Sequence, residues 1–175
     1  MLISLSEIMN TTDKVENISA PIEMDTFEFQ GNSYEFIRKD PVNLTITNLG
    51  SRKVMIEAGT KVSLMLNCSR CLKKIAYPME IQFSKEIDFN LTEEERAQDL
   101  DETNYIVGYD LNVDTLIYDE ILIGFPMKLL CREDCKGICK NCGKNLNEGS
   151  CDCDTTEYDP RMARIRDIFN NFKEV

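Results

Sequence analysis

Histidine and tryptophan are both absent from the 175 residues of this chain. Without an imidazole, Ser-His-Asp and Cys-His nucleophile systems are excluded together, because each needs that ring to carry the proton. The same absence leaves cysteine as the main soft metal ligand. Positive charge is scarce: 20 Lys and Arg stand against 31 Asp and Glu, for a net charge of −11 and a pI near 4.5. This balance opposes non-specific binding to nucleic acid, whose phosphates are held mainly by Lys and Arg. The opening stretch MLISLSEIMN has no basic segment and no sustained apolar run, and no later stretch is long enough to span a bilayer. The expectation is a cytoplasmic protein with no membrane partner, in a compartment that keeps thiols reduced. Also missing are a Gly-rich phosphate loop, an internal repeat and a low-complexity segment.

Hydrophobic residues make up 42%, enough for an ordinary core, which excludes a disordered acidic tail. The fold class expected is α+β. An antiparallel sheet or small barrel occupies the N-terminal half, across roughly residues 25–89, where apolar residues recur with a period of two. FEFQGNSYEF reads as a hairpin with a Gly-Asn turn, and Gly50 and Gly59-Thr60 read as further turns. In LTEEERAQDLDE, Thr92 and Glu95 have the spacing of a capping box, so the stretch reads either as a helix start or as a solvated acidic loop. DTLIYDEILIGFPMKLL predicts a buried helix opened by Asp114 and ended near Pro126. DPRMARIRDIFNNF predicts another, with Asp159 as cap and Pro160 at the first helical position. Its apolar stripe, Met162, Ile165, Phe169 and Phe172, is expected to pack on the core. The organisation expected is a β-rich domain with an acidic helical insert over 1–127, then a four-cysteine zinc-knuckle segment with a C-terminal helix packed on it over 128–175.

Eight cysteines in a reducing compartment point to metal rather than disulfides. A bridge within Cys151-Asp-Cys153 would also be strained. Cys139-Lys-Asn-Cys142-Gly143 is a knuckle pattern, in which two thiolates grip one ion while the glycine lets the backbone turn sharply. Cys151 and Cys153 complete a first site. Cys68, Cys71, Cys131 and Cys135 remain for a second. Weaker signals there are Leu72 in place of a glycine and a long Cys131–Cys135 spacing. One site with spare buried thiols, or a single site with swapped ligands, fits the same residues. Cys131, Cys135 and Cys139 also fall four apart, which a continued helix would line up on one face. One or two zinc ions per chain are expected, each closed by four thiolates and therefore structural.

Lys128, Arg132, Lys136, Lys140 and Lys144 recur every fourth position, and Arg70, Lys73 and Lys74 flank the distant pair. A zinc ion with four thiolates carries a formal charge of about −2, which nearby cations stabilise. The sharper expectation is that these eight bases form one face that meets RNA phosphates.

The strand-rich first half, CSRCL, the acidic middle, LCREDCKGICKNCGKNLNEGSCDC and the closing DPRMARIRDIF together resemble the YceD family. These are the large ribosomal RNA subunit accumulation proteins, here in the cysteine-rich form common in Firmicutes. The resemblance implies a non-catalytic factor of ribosome assembly that supports accumulation of large-subunit ribosomal RNA. Its implied partner is ribosomal RNA or a pre-large-subunit particle, with no small-molecule substrate. Two other classes fit the residues. One is an enzyme: a thiol redox protein using Cys68 and Cys71, or a hydrolase holding magnesium on Asp99, Asp101 and Glu102. The other is an adaptor whose acidic surface binds basic ribosomal proteins.

Overall fold

A computed structural model describes residues 1–92, 95 and 104–153. The chain divides into two units, Met1–Asn67 with Lys74–Leu129 and Cys68–Lys73 with Leu130–Val175. In the first, an antiparallel six-stranded sheet is built around β6 (Lys53–Asn67), in which every second residue from Val54 to Leu66 is buried. That strict alternation holds one face of a 15-residue strand in the core without a break. One edge of β6 pairs with β7 (Lys74–Asp88) along its whole length. The other edge pairs first with β5 (Val42–Gly50) and then with β4 (Asn32–Lys39). β2 (Val15–Ala20) and β3 (Thr26–Phe29) extend the sheet beyond β5 and β4. Among the described residues β2, β3 and β7 each pair on one side only, so the sheet is open rather than a closed barrel. β7 being an edge strand, Pro78 is tolerated mid-strand despite lacking an amide hydrogen.

A second sheet joins β1 (Leu2–Ser4), β9 (Asp110–Asn112) and β8 (Ile106–Val107). The described helices are short: α1 (Ser6–Met9) and α2 (Val113–Gly124). Among the described residues the protein is mostly antiparallel sheet with two helices, so these residues bear out the antiparallel sheet of the α+β reading more than its helices. No described helix is long and apolar enough to cross a membrane.

Several sequence expectations are corrected. Strands begin at Leu2 and Val15, well before residue 25. The first hairpin turns on Gln30-Gly31, at φ 50° and 76°, because both loop positions of this tight turn need positive φ, and Asn32 already pairs with Phe29. Gly59-Thr60 is no turn: β7 pairs straight across it, and Thr60 Oγ1 donates to Asp40 O at 2.9 Å where β6 passes from β5 to β4. Asn112, not Asp114, caps α2, accepting from the amides of Asp114 and Thr115 at 3.1 and 3.3 Å. Asp114 instead accepts from the amides of Glu23 and Met24 at 2.7 and 3.2 Å. The helix stops at Gly124, because Phe125 precedes Pro126 and is driven to an extended conformation. The capping box does form, with Thr92 N donating to Glu95 Oε2 at 2.9 Å and Glu95 N to Thr92 Oγ1 at 3.2 Å. The helix expected over 159–172 and the acids Asp99, Asp101 and Glu102 lie outside the described residues.

One buried polar residue ties α1 to the sheet. Asn48 is 3% exposed, and its Nδ2 donates to the carbonyls of Ile8, Met9 and Thr11 at 3.0, 3.1 and 2.8 Å. Its Oδ1 accepts from Gly50 N at 2.9 Å. Asn48→Leu removes a donor from each of those carbonyls, although Ile8 O and Thr11 O still accept from Thr11 N and Lys14 N. It is expected to cost about 1–3 kcal/mol, read as a lower denaturation midpoint at unchanged slope.

Candidate metal centres

The second unit carries two hairpins built alike. In CSRCLK, Cys68 N donates to Lys73 O at 2.8 Å and Leu72 N donates to Cys68 O at 3.0 Å. In CKNCGK, Cys139 N donates to Lys144 O at 2.8 Å and Gly143 N donates to Cys139 O at 2.9 Å. The residue after the second cysteine is left-handed in both, Leu72 at φ 60° and Gly143 at 73°. One position further out, each closes as an antiparallel pair, Asn67 with Lys74 and Ile138 with Asn145. The two are structural duplicates. This repeat escapes the sequence reading because only Cys-x-x-Cys and one lysine recur. Leu72 accepts the backbone conformation that glycine adopts freely, at a cost of about 1–2 kcal/mol.

A second pair completes each hairpin. Cys131 and Cys135 join Cys68 and Cys71, while Cys151 and Cys153 join Cys139 and Cys142. Within each set the four Sγ atoms lie within 4.8 Å of one another, and none of the eight forms a disulfide. Cys68 Sγ lies 3.8 Å from Cys135 Sγ, and Cys71 Sγ 3.6 Å from Cys131 Sγ. Residues 131–139 are not helical, so Cys135 and Cys139 part to different sets rather than lining one face. CSRC sits in a turn between two strands, not at a helix start where a thioredoxin-like pair would be.

Amide hydrogens aim at the sulfurs. Cys68 Sγ accepts from Arg70 N at 3.5 Å and Cys131 N at 3.4 Å. Burial raises the Cys68 thiol, but amide donors from Cys71, Arg70 and Cys131 outweigh it and bring it to about 6. Burial and the neighbouring sulfurs of Cys135, Cys71 and Cys68 push Cys131 to about 12. The other set divides in the same way. Amides of Cys142 and Asn141 hold Cys139 near about 6, whereas contact with Cys142, then burial, drives Cys153 to about 12. Four sulfurs this close cannot all ionise alone: the first thiolate suppresses the others. A dication removes that conflict, so the donor chemistry fits a metal ion in each set. Four thiolates are soft donors that suit zinc, copper(I) or an iron–sulfur cluster. With four protein ligands no position is left open for a reactive water.

Contacts away from the sulfurs stitch the unit. Arg70 Nη1 donates to Cys135 O at 2.8 Å, and Arg70 O accepts from Ile138 N at 3.2 Å. Gly137, at φ 82°, allows this approach, since a Cβ there would stand 3.1 Å from Arg70 O. Asn147 reaches from the loop of one set to the other: its Nδ2 donates to Cys135 Sγ at 3.4 Å. Its Oδ1 accepts from Lys136 N at 2.8 Å and Arg132 Nη2 at 2.9 Å. The sequence marks Asn147 only as a loop residue, and no spacing rule points to it.

Of the eight bases, Arg70, Lys73, Arg132, Lys136, Lys140 and Lys144 belong to this unit and are exposed, whereas Lys74 and Lys128 belong to the first unit. Arg70 and Arg132 are partly engaged within it as above, Lys144 Nζ donates to Ser150 O at 2.6 Å, and Lys140 is engaged as well.

The family described as large ribosomal RNA subunit accumulation protein YceD matches residues 56–169, more than half of the sequence and all eight cysteines. The chain belongs to the YceD family. Uncharacterized protein YlbN of Bacillus subtilis is 26% identical over 129 residues, covering 73% of each protein. Uncharacterized protein ML1660 of Mycobacterium leprae is 23% identical over 107 residues, which is 61% of this chain and 49% of that protein. Uncharacterized protein Mb2951c of Mycobacterium bovis is 22% identical over 115 residues, 66% of this chain and 55% of that protein. This chain therefore spans about half the length of the mycobacterial members. No solved structure matches it.

Proposed function

We propose that this chain is a non-catalytic, cytoplasmic assembly factor that supports accumulation of large-subunit ribosomal RNA, with one structural zinc ion in each four-cysteine set. The observation that carries the reading is the pair of closed four-sulfur groups in a member of the YceD family. Zinc is favoured over the other soft-metal choices by the knuckle hairpins, whose amides face sulfur, and by the four thiolates available to close each set. The ligands are Cys68, Cys71, Cys131 and Cys135 in one centre, and Cys139, Cys142, Cys151 and Cys153 in the other.

The partner is ribosomal RNA within a pre-large-subunit particle, met by the bases around the centres. Six bases face four acids, Glu133, Asp134, Glu148 and Asp152, among the described residues of this unit. Two zinc–thiolate centres add roughly four negative charges. RNA contact is therefore local, through individual exposed lysines, rather than a field effect of the whole unit.

The test is Lys136→Glu with Lys140→Glu and Lys144→Glu. Association with pre-ribosomal particles is expected to fall at least tenfold and to lose part of its salt dependence, while zinc content stays at two per chain. Unchanged association rejects the basic contact. Complexes captured from growing cells that survive full RNA digestion instead assign the acidic surface to a basic ribosomal protein, in keeping with the net charge of −11.

A further inference from the structure

Each set draws its ligands from its own hairpin and pair, yet one side chain belongs to both neighbourhoods. Asn147 lies in the loop between Cys142 and Cys151, so a metal ion holding those two cysteines fixes the loop that carries it. Its amide group contacts residues of the other set's neighbourhood: Cys135 Sγ, Lys136 N and Arg132 Nη2. The loop is further held by Leu146 N donating to Gly137 O at 2.9 Å, and by Asn147 N and Nδ2 donating to Asn145 Oδ1 at 3.1 and 2.8 Å. Asn147 is half-buried, and its Oδ1 is saturated by two donors that leave Nδ2 turned to sulfur.

We propose that Asn147 is a positioning residue coupling the two metal centres, so that filling the Cys139 set strengthens metal binding in the Cys68 set. The inference rests on the structural-metal reading above. Its physical basis is that an N–H donated to a ligating sulfur stabilises the thiolate and fixes its direction, an outer contact worth roughly ten- to hundredfold in metal affinity. That contact exists only while the 143–150 loop is held, and the Cys139 set holds it. By linkage the coupling is reciprocal: metal in the Cys68 set strengthens the Cys139 set by the same factor.

The experiment uses the full chain, stripped and refilled with cadmium under reducing conditions. Cadmium NMR gives each four-sulfur centre its own signal, and a competing chelator sets the free metal. Asn147→Asp keeps an acceptor for Lys136 N and Arg132 while removing the donor to Cys135. It is expected to retain both centres at saturation and to weaken the Cys68 centre roughly ten- to hundredfold, with Asn147→Ala behaving alike. Cys151→Ser with Cys153→Ser disables the other set and is expected to weaken the Cys68 centre by a similar factor. Adding Asn147→Asp to that double variant is then expected to change little, because the two losses share one cause. An unaltered Cys68 centre in Asn147→Asp, or losses that simply multiply, overturns the coupling while leaving the structural metal intact. Wild-type protein that takes up no metal overturns both.

Discussion

Stripping the metal with a strong chelator is expected to unfold the second unit and leave the sheet of the first standing. Among the described residues of the second unit, the buried side chains are those of Cys68, Cys71, Cys135 and Cys139. The apolar cluster of Phe27, Leu44, Ile56, Leu64, Leu116 and their neighbours, as far as the described residues go, is drawn from the first unit. Among the described residues of the second unit, order is otherwise carried by short turns and by hydrogen bonds such as Arg70 to Cys135 O and Lys136 N to Asn147, each worth only about 1 kcal/mol net. Structural zinc in comparable small modules contributes about 10–16 kcal/mol of apparent binding energy, far more than such bonds supply. Amide hydrogen exchange on loaded and stripped protein checks this. Protection around Cys135–Asn147 should vanish, while β5 and β6 keep theirs. Cys142→Ser should reproduce the loss in its own hairpin. Protection that survives in metal-free protein would sink the reading.

The first unit depends on other forces, and these were unequally visible in the sequence. β6 was legible in part: its alternation marked a strand that burial bears out, but Gly59-Thr60 read as a turn where the strand runs straight on with Thr60 buried. β2 was not: VENISA buries only Ala20, so its place is set by pairing with β5 rather than by a hydrophobic pattern. Cap and turn positions slipped by one or two residues where two suitable types adjoin, as with Asn112 and Asp114, or Gly31 and Asn32. At the site, cysteine identity and spacing suggested two sets but left one site with spare thiols or swapped ligands open, and it is the positions of the sulfurs that group them as two fours. Leu72, Gly137 and Asn147 were opaque for a different reason. A left-handed leucine, a glycine packed under Arg70 O and an amide aimed at a distant sulfur are products of the chain's close approach to itself, not of local pattern.

The proton competes with metal at these sulfurs, so affinity is expected to fall steeply as the solution is acidified. In the folded unit before metal enters, Cys71 and Cys131 of one set are raised above the usual thiol range, as are Cys151 and Cys153 of the other. All four carry protons at neutral pH. Metal requires them as thiolates, so filling either set at pH 7 releases at least two protons, and affinity changes at least about 100-fold per pH unit. The sign follows directly. Groups raised in the folded, empty unit hold protons that the loaded state cannot, and ordinary thiols of the unfolded chain are protonated at neutral pH as well, so lowering the pH favours the empty form. Cys68 and Cys139, held at about 6, are already ionised above that point and add nothing to the slope there. Below it they too take up protons, and the slope steepens to about 1,000-fold per unit or more. Chelator competition between pH 8 and pH 5, with proton release followed by a pH indicator in weak buffer, measures both quantities. A slope below tenfold per unit would mean that the sulfurs bind as neutral thiols or do not bind at all, and neither is compatible with a four-thiolate centre holding this unit together.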